Sequence, residues 1–293
     1  MSLLEVVGLT KSFRGRYGPL GLRRRAIQAV RNVSFTLDEG QTLALIGESG
    51  SGKSTTARLI TRLIEPDGGS VNFEGEDLLE MRQTELRRTR ARLAMVFQDP
   101  NGSLDPRVTI GDSVGEPLLV HNGLHRKERE NRVASLLERV GLSPRHMSRY
   151  PRELSGGQVQ RAAIARAITT NPKLIVCDEP VTALDVIIRA QIINLLSDLQ
   201  NEFGIAYLFI SHDLNLVRAF ADSVLVMLNG EIVDRGTAQQ IVSNPGHAHT
   251  RDLLAAIPSL VPKALRSGGT FEDMPTSGPT SIPMGAPTGL ETG

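Results

Sequence analysis

The sequence predicts an α/β fold with a buried parallel sheet, and three observations carry that expectation. Residues 40–68 read as a strand, a glycine-rich loop and a helix. Leu174-Ile175-Val176-Cys177 is an unbroken apolar run, the pattern of a strand covered on both faces. Beyond residue 170 strands and helices alternate, the order that builds a parallel sheet flanked by helices.

The first 75 residues are dominated by short β-branched runs. Leu3 to Phe13, Val30 to Leu37, Thr42 to Ile46 and Ser70 to Phe73 are the expected strands. Gly15, Gly18, Pro19, Asp38-Glu39-Gly40 and Asp67-Gly68-Gly69 punctuate them, and Arg14 to Gln28 reads as a long loop. Ile60, Leu63 and Ile64 have helical spacing, so the helix is expected to end just before Pro66 and Gly68. From about residue 99 to 170 strand signals fade and arginine-rich, helix-permissive sequence takes over, which reads as a helical insertion. Within it Leu136, Leu137, Val140 and Leu142 fit one face of a helix ending near Gly141 and Pro144. Ile192, Leu195, Leu196 and Leu199 repeat at i, i+3, i+4, i+7 and predict a further helix. Ile205 to Ile210 is another buried strand and Leu214 to Phe220 a short helix. Val224 to Leu228, Asn229-Gly230 and Glu231-Ile232-Val233 read as a hairpin on a type I′ turn. Of the last 27 residues, Ser267 to Gly293, 18 are Gly, Pro, Ser or Thr, a composition that cannot offset chain entropy and predicts disorder.

Composition narrows the function classes. A length of 293 residues suits one or two domains with a sizeable core. Lys plus Arg is 33 against 32 for Asp plus Glu, a balance unlike that of a chain held on nucleic acid by bulk charge. Aromatics are 4% with no tryptophan, too few for a stacking platform on single strands. The single cysteine, Cys177, excludes an intramolecular disulfide and a multi-cysteine metal or iron–sulfur site. No apolar run nears the ~18 residues of a membrane helix, and Met1 to Glu5 lacks the start of a signal peptide. The expectation is a soluble cytoplasmic chain; if it serves a membrane, it does so from outside the bilayer. No internal repeat is visible, so a single unit is expected rather than two fused copies. Two arginine groups, Arg14 to Arg31 and Arg82 to Arg92, read mainly as a solvated loop and a hydrated helix face.

Three motifs carry chemistry. Gly47-Glu48-Ser49-Gly50-Ser51-Gly52-Lys53-Ser54, followed by Thr55, matches the phosphate-loop pattern G-x-x-x-x-G-K-[ST]. Its glycines let backbone N–H groups curl around phosphate oxygens, and the next helix turns its positive end to the same anion. Lys53 suits the β- and γ-phosphates, and the Ser54 hydroxyl suits Mg²⁺. Alone, the loop indicates a P-loop nucleoside triphosphatase. Asp178 and Glu179 emerge where the buried strand ends, the end at which ligands bind in open α/β sheets. Asp178 suits Mg²⁺ through water, and Glu179 can polarise an attacking water as general base. Leu154-Ser155-Gly156-Gly157-Gln158 precedes the helix-forming stretch Val159 to Ile168 and makes a second anion-gripping helix start. The economical explanation is that it grips a nucleotide held by another subunit.

The order phosphate loop, Gln98, LSGGQ, Asp178-Glu179, Ala183-Leu184-Asp185 and His212 resembles that of ABC-type ATPases over nearly all of residues 3 to 258. The resemblance implies a P-loop (RecA-like) core with an N-terminal antiparallel β subdomain and an inserted helical subdomain. It divides the chain into a nucleotide-binding domain at 1–258, with the helical part at about 99–170, and a C-terminal extension at 259–293, disordered from about 267. It also implies roles. Gln98 would sense Mg²⁺ and the γ-phosphate, Asp185 would communicate across a dimer, His212 would contact the γ-phosphate, and Phe13 or Tyr17 would stack on adenine. ATP and Mg²⁺ would lie between two ATPase subunits, with Ser155, Gly156, Gly157 and Gln158 supplied by the opposing chain.

A narrower similarity, to the dipeptide/oligopeptide/nickel importer subfamily, rests on Phe97-Gln98-Asp99-Pro100, Ser103-Leu104-Asp105-Pro106-Arg107, Cys177 to Val186 and Asn244 to Pro258. Ala248 and His249 depart from the subfamily's usual Pro and Tyr, and Ile187-Ile188-Arg189 from its usual Ser-containing sequence. That similarity implies an ATPase subunit powering import of di- or oligopeptides. Its partners would be two transmembrane permease subunits, a second ATPase subunit, identical or different, and an extracytoplasmic solute-binding protein. The chain would sit peripherally on the cytoplasmic face of the inner membrane, without direct contact to nucleic acid. The alternatives are importer ATPases for nickel or another small solute, a soluble ABC-type ATPase acting on nucleic acid or in translation, and a module that holds ATP without hydrolysing it.

Overall fold

The computed structural model describes residues 2–17 and 23–255, with all side chains in those spans except those of 14–17, 23–25, 100 and 101. Two sheets organise it. Strands β1 (Ser2–Tyr17), β2 (Arg23–Asp38), β4 (Gly68–Phe73) and β5 (Glu76–Asp77) form an antiparallel sheet in the order β2-β1-β4-β5. Strands β3 (Thr42–Ile46), β6 (Leu93–Val96), β7 (Leu174–Asp178), β8 (Ala206–Ser211), β9 (Ser223–Leu228) and β10 (Glu231–Thr237) form the second, in the order β10-β9-β3-β8-β7-β6. All its pairings are parallel except β10 on β9.

Helices fall into three groups along the chain. Helices α1 (Lys53–Ile60) and α2 (Gln83–Thr89) precede β6. Helices α3 (Pro100–Ser103), α4 (Ile110–Pro117), α5 (Arg126–Arg139) and α6 (Gly156–Ile168) occupy the stretch between β6 and β7, where the described residues hold no strand. Helices α7 (Val186–Phe203), α8 (Leu214–Phe220), α9 (Ala238–Ser243) and α10 (Ala248–Ala255) alternate with or follow the last strands.

The continuous apolar runs are buried because β3, β7 and β8 lie inside the six-stranded sheet. Every residue of these three strands is buried. Tyr207 and Phe209 of β8 flank Phe220 of α8 at ring distances of 5.6 and 5.2 Å. The Tyr207 hydroxyl donates to Leu196 O on α7 at 3.0 Å, so its one polar atom is satisfied in the core. Cys177 is wholly buried and its thiol is pushed up by that burial, as expected of an inert core residue. The Asn229-Gly230 turn has positive φ at both residues, 49° and 89°, as a type I′ hairpin requires.

Three expectations are corrected. Residues 14–17 and 23–28, expected within a loop, are strand: Arg14 pairs with Ala26, Gly15 with Arg25 and Tyr17 with Arg23, so the antiparallel ladder runs through Gly15. The helix expected to include Leu63 and Ile64 stops at Ile60. Arg62 turns left-handed (φ 48°), held there by its guanidinium bonds to Leu78 O at 2.8 Å and Met81 O at 2.7 Å. The arginines of 82–92 are not simply a hydrated face. Arg90 donates to Arg62 O at 2.8 Å, and Arg92 pairs with Glu74, which also holds Lys173 at 2.9 Å. Strand β6 is not anticipated by the sequence: Ala94 and Met95 at its centre lack the β-branching that marks the other strands. The expected disordered segment from 267 lies outside the described residues, as does the 258/259 boundary.

Candidate functional site

Strand order assembles the site. Strand β8 lies between β3 and β7, and β6 lies on the far side of β7. The four C-terminal ends are level: Ile46 pairs with Ser211, Asp178 with Ile210, and Val96 with Cys177. Immediately beyond those ends come the phosphate loop, His212, Glu179 and Gln98. Segments far apart in sequence are thereby delivered to one edge of the sheet, where ligands bind in open α/β folds.

The phosphate loop is tightly backed. A Cβ at Gly47 would lie 2.2 Å from Met227 O, and one at Gly52 2.2 Å from Ala29 O, so only glycine fits at either position. Their φ values, 150° and 110°, also favour glycine. Glu48, Ser49 and Gly50 form the exposed outer turn, while Ser51 is buried and Thr55 half-buried. No side chain caps α1 at Gly52, which leaves the first N–H groups of the helix open to an anion.

Lys53 is 4% exposed. Its Nζ donates to Gly47 O at 2.8 Å, Glu48 O at 2.7 Å and Ser51 Oγ at 3.5 Å, so the ammonium sits inside the curl of the loop. Burial pulls its pKa down, and Glu179, Asp178 and Glu48 pull the other way. The loop thus holds a lysine ready to exchange carbonyl partners for a stronger anionic one. Asp178 is 1% exposed and accepts from Ser54 Oγ at 2.8 Å. Burial raises its pKa, opposed first by that hydrogen bond and then by Arg58. Ser54 and Asp178 are two hard oxygen donors side by side at the phosphate loop, a set that suits Mg²⁺.

Glu179 has a left-handed backbone (φ 47°), a strain that a non-glycine residue keeps only where its surroundings hold it. Its carboxylate is gathered on one oxygen. Oε2 accepts from Gln98 Nε2 at 3.1 Å and from Thr182 Oγ1 at 3.1 Å, and lies 3.5 Å from His212 Nδ1. Glu179 is nearly buried (13% side-chain exposure) whereas His212 is open (54%). Gln98, expected to sense Mg²⁺ and the γ-phosphate, is thus brought against Glu179. Thr182 is not among the residues that the sequence singles out. A hydroxyl three residues beyond a carboxylate across a turn is the signal that points to it.

The remaining residues lie at two other places. Phe13 is 43% exposed on β1 and pairs across the ladder with Ile27, two residues before the Ala29 that backs Gly52. Phe13 therefore belongs to the strand pair that backs the phosphate loop, with Lys11 Nζ 5.9 Å from its ring centre. The Tyr17 side chain lies outside the described set. Ser155 to Gln158 form no bond to the phosphate loop among the described residues. They build a capping box at the start of α6, with Gln158 N donating to Ser155 Oγ at 3.4 Å and Ser155 N to Gln158 Oε1 at 2.9 Å. A methyl at Gly156 would lie 3.7 Å from Leu184 Cδ2, and one at Gly157 2.7 Å from Ile188 Cγ2. Asp185 caps α7 by accepting from Ile188 N at 2.9 Å. Beside it Val186 and Ile187 are 78% and 72% exposed. The start of α6 and the Asp185 turn therefore share one exposed, partly apolar surface.

Comparison with known proteins adds independent findings. The ABC transporter family profile matches residues 30–182. The glutathione import ATP-binding protein GsiA of Escherichia coli O6:H1 is 51% identical over 277 residues, 94% of this chain and 44% of that protein. Its counterpart in Pectobacterium atrosepticum is 50% identical over 256 residues, covering 87% and 41%. The chain thus spans less than half the length of these curated relatives. Among solved structures, the ATP-binding cassette MJ0796, as a dimer in a post-hydrolysis state bound to ADP and Pi, superposes with a TM-score of 0.71 at 32% identity, covering 80% of this chain and 98% of that one. The protein cbiO1 of Clostridium perfringens, part of the cbiONQ ABC transporter complex, gives 0.70 at 26% identity, covering 83% and 91%.

Proposed function

The chain belongs to the ABC transporter family, and from that premise we propose that it is an ATPase subunit powering import of di- or oligopeptides through separate transmembrane subunits. The observation that carries the catalytic part is the convergence of Lys53, Ser54, Asp178, Glu179, Gln98 and His212 at the level ends of four neighbouring strands. The phosphate loop and the open N-terminus of α1 bind the β- and γ-phosphates, and Lys53 turns from its carbonyls to their oxygens. Ser54 and Asp178 would hold Mg²⁺, which when bound neutralises phosphate charge. Phe13 stacks on the adenine.

Glu179 acts as general base. It takes a proton from water as the water oxygen bonds the γ-phosphorus. The bond from that phosphorus to the bridging oxygen breaks, its electron pair leaves with ADP, and inorganic phosphate is released. Gln98 and Thr182 hold the accepting carboxylate in place, and His212 contacts the γ-phosphate.

The exposed surface at Ser155–Gln158 and Asp185 packs against a second ATPase subunit, so that Ser155, Gly156 and Gly157 close on the nucleotide held by that neighbour. ATP shifts the pair towards the closed form because it contacts both subunits only there. No helix among the described residues is long and apolar enough to cross a membrane, which fits a subunit that works from the membrane surface with permease partners. Glutathione, named in the curated relatives, is a tripeptide and lies within the proposed substrate class. The test is to purify the chain from membranes, identify the subunits that come with it, and measure which solute raises phosphate release. Stimulation by peptides supports the reading; stimulation by nickel alone, or salt-sensitive binding to nucleic acid, would replace it.

A further inference from the structure

Arg189 lies in the first turn of α7, where a cation opposes the positive end of the helix. It is nevertheless half-buried, with 25% of its side chain exposed. Its Nη1 donates to Asp213 Oδ2 at 2.9 Å and its Nη2 to Leu184 O at 3.2 Å. Its Nε is buried with no hydrogen-bond partner among the described residues, so the guanidinium is held by those two contacts.

Both contacts are to turns that border the site. Leu184 precedes Asp185 and lies against Gly156 at the start of α6. Asp213 follows His212 and is itself fixed on every side. Its Oδ1 accepts from Asn215 N at 3.0 Å and Leu216 N at 3.4 Å, and its N donates to Ser211 Oγ at 2.9 Å. His212 lies between Ser211 and Asp213, joined to this unit by a peptide link on each side, and reaches Glu179 Oε2 at 3.5 Å.

We propose that Arg189 is a positioning residue for ATP hydrolysis, one that ties the 183–185 turn to the His212–Asp213 turn and so registers His212 with the surface at which a second subunit docks. The proposal rests on the ATPase reading of the site. A planar fork suits the task because it bonds two acceptors at once in fixed relative positions, which a lysine ammonium on a flexible stem does not. Breaking the tie leaves the phosphate loop untouched, so nucleotide binding is kept while His212 is released from its register.

The test measures kcat, KM for ATP and thermal midpoint on the full chain for R189Q, R189K and D213N. The D213N change keeps a side-chain oxygen for the α8 cap but turns no charge towards Arg189. R189Q and D213N are each expected to lower kcat about tenfold with KM within about twofold of wild type, R189K falling between. The double variant is expected to lose no more than either single one, because both break the same link. Wild-type turnover in R189Q, or a double variant that multiplies the two losses, would overturn the proposal. If R189Q does not fold, D213N and R189K give the same reading. A wild-type chain that releases no phosphate counts against the ATPase reading; active wild type beside an equally active R189Q counts against Arg189 alone.

Discussion

Replacing Glu179 with Gln isolates proton transfer from geometry. Glu179 Oε2 takes two hydrogen bonds of 3.1 Å, from Gln98 and Thr182, and faces His212 at 3.5 Å. A glutamine has nearly the same shape, and its amide oxygen accepts from the same donors, so the left-handed turn at residue 179 and the neighbouring contacts persist. Only the capacity to take a proton is lost. General-base catalysis contributes roughly 10²–10⁴-fold, so steady-state phosphate release should fall by at least on the order of 10²-fold, about 2.7 kcal/mol of barrier. ATP affinity should stay within about twofold, because Lys53 and the loop N–H groups are unchanged. With ATP bound and not consumed, the variant should accumulate as a two-subunit species on size exclusion, and wild type should not. Single-turnover phosphate release, an ATP titration and size exclusion with and without ATP together decide the matter. Phosphate release within about threefold of wild type would remove Glu179 from the base role and refute the mechanism.

Lys53→Ala removes the ammonium that the loop holds on Gly47 O and Glu48 O, and ATP affinity should drop at least tenfold in a titration; an unchanged affinity contradicts the phosphate-loop assignment. Thr182→Val deletes one of the two bonds on Glu179 Oε2 and should lower kcat several-fold at constant KM, whereas Thr182→Ser should keep wild-type turnover; equal turnover in the valine variant would show that the bond is idle. Asp234 accepts from His247 N at 2.9 Å and Thr250 Oγ1 at 2.8 Å and so clasps the start of α10 to β10. Burial alone would raise its pKa, but these bonds bring it below the usual carboxylate value. The stabilisation is therefore present above the unfolded value of about 4 and lost as pH falls through the lower folded one. Asp234→Asn should thus speed hydrogen exchange in α10 at pH 7 relative to wild type, and the gap should narrow as pH falls below about 4. A gap that persists in acid would mean that the clasp does not depend on the charge.

What is legible in the sequence is whatever is written in consecutive residues. The phosphate loop, the Asp178-Glu179 strand end and the buried runs of β3, β7 and β8 each announce themselves locally, because glycine spacing and unbroken apolarity reflect local steric and burial demands. What stays hidden is relational. Gln98 and Glu179 meet only because β6 lies beside β7, and β6 itself carries Ala94 and Met95 where a β-branched signal would be expected. Gly15 looks like a breaker, yet ladder bonds carry the strand through it, since pairing energy outweighs a modest local preference. The α1 helix ends early because Arg62 finds acceptors at Leu78 and Met81, partners that no periodicity count includes. The LSGGQ segment is readable as a helix start, but its capping box and its contact with the Asp185 turn are tertiary facts.

The strand order that levels the site also sets a schedule for its synthesis. Strand β3 is the first strand of the six-stranded sheet to be made, yet both of its neighbours, β8 and β9, are among the last. Thr42 waits for Tyr207 and Leu43 for Ser223, and until then the apolar run to Ile46 has two bare edges. Parallel pairings of such long sequence separation form slowly and expose aggregation-prone edges meanwhile. A ribosome that stalls, or a message cut short, anywhere before Ser211 would release a chain in which this apolar strand lacks its full set of partners. Such a fragment is a substrate for chaperones and proteases rather than a weaker enzyme.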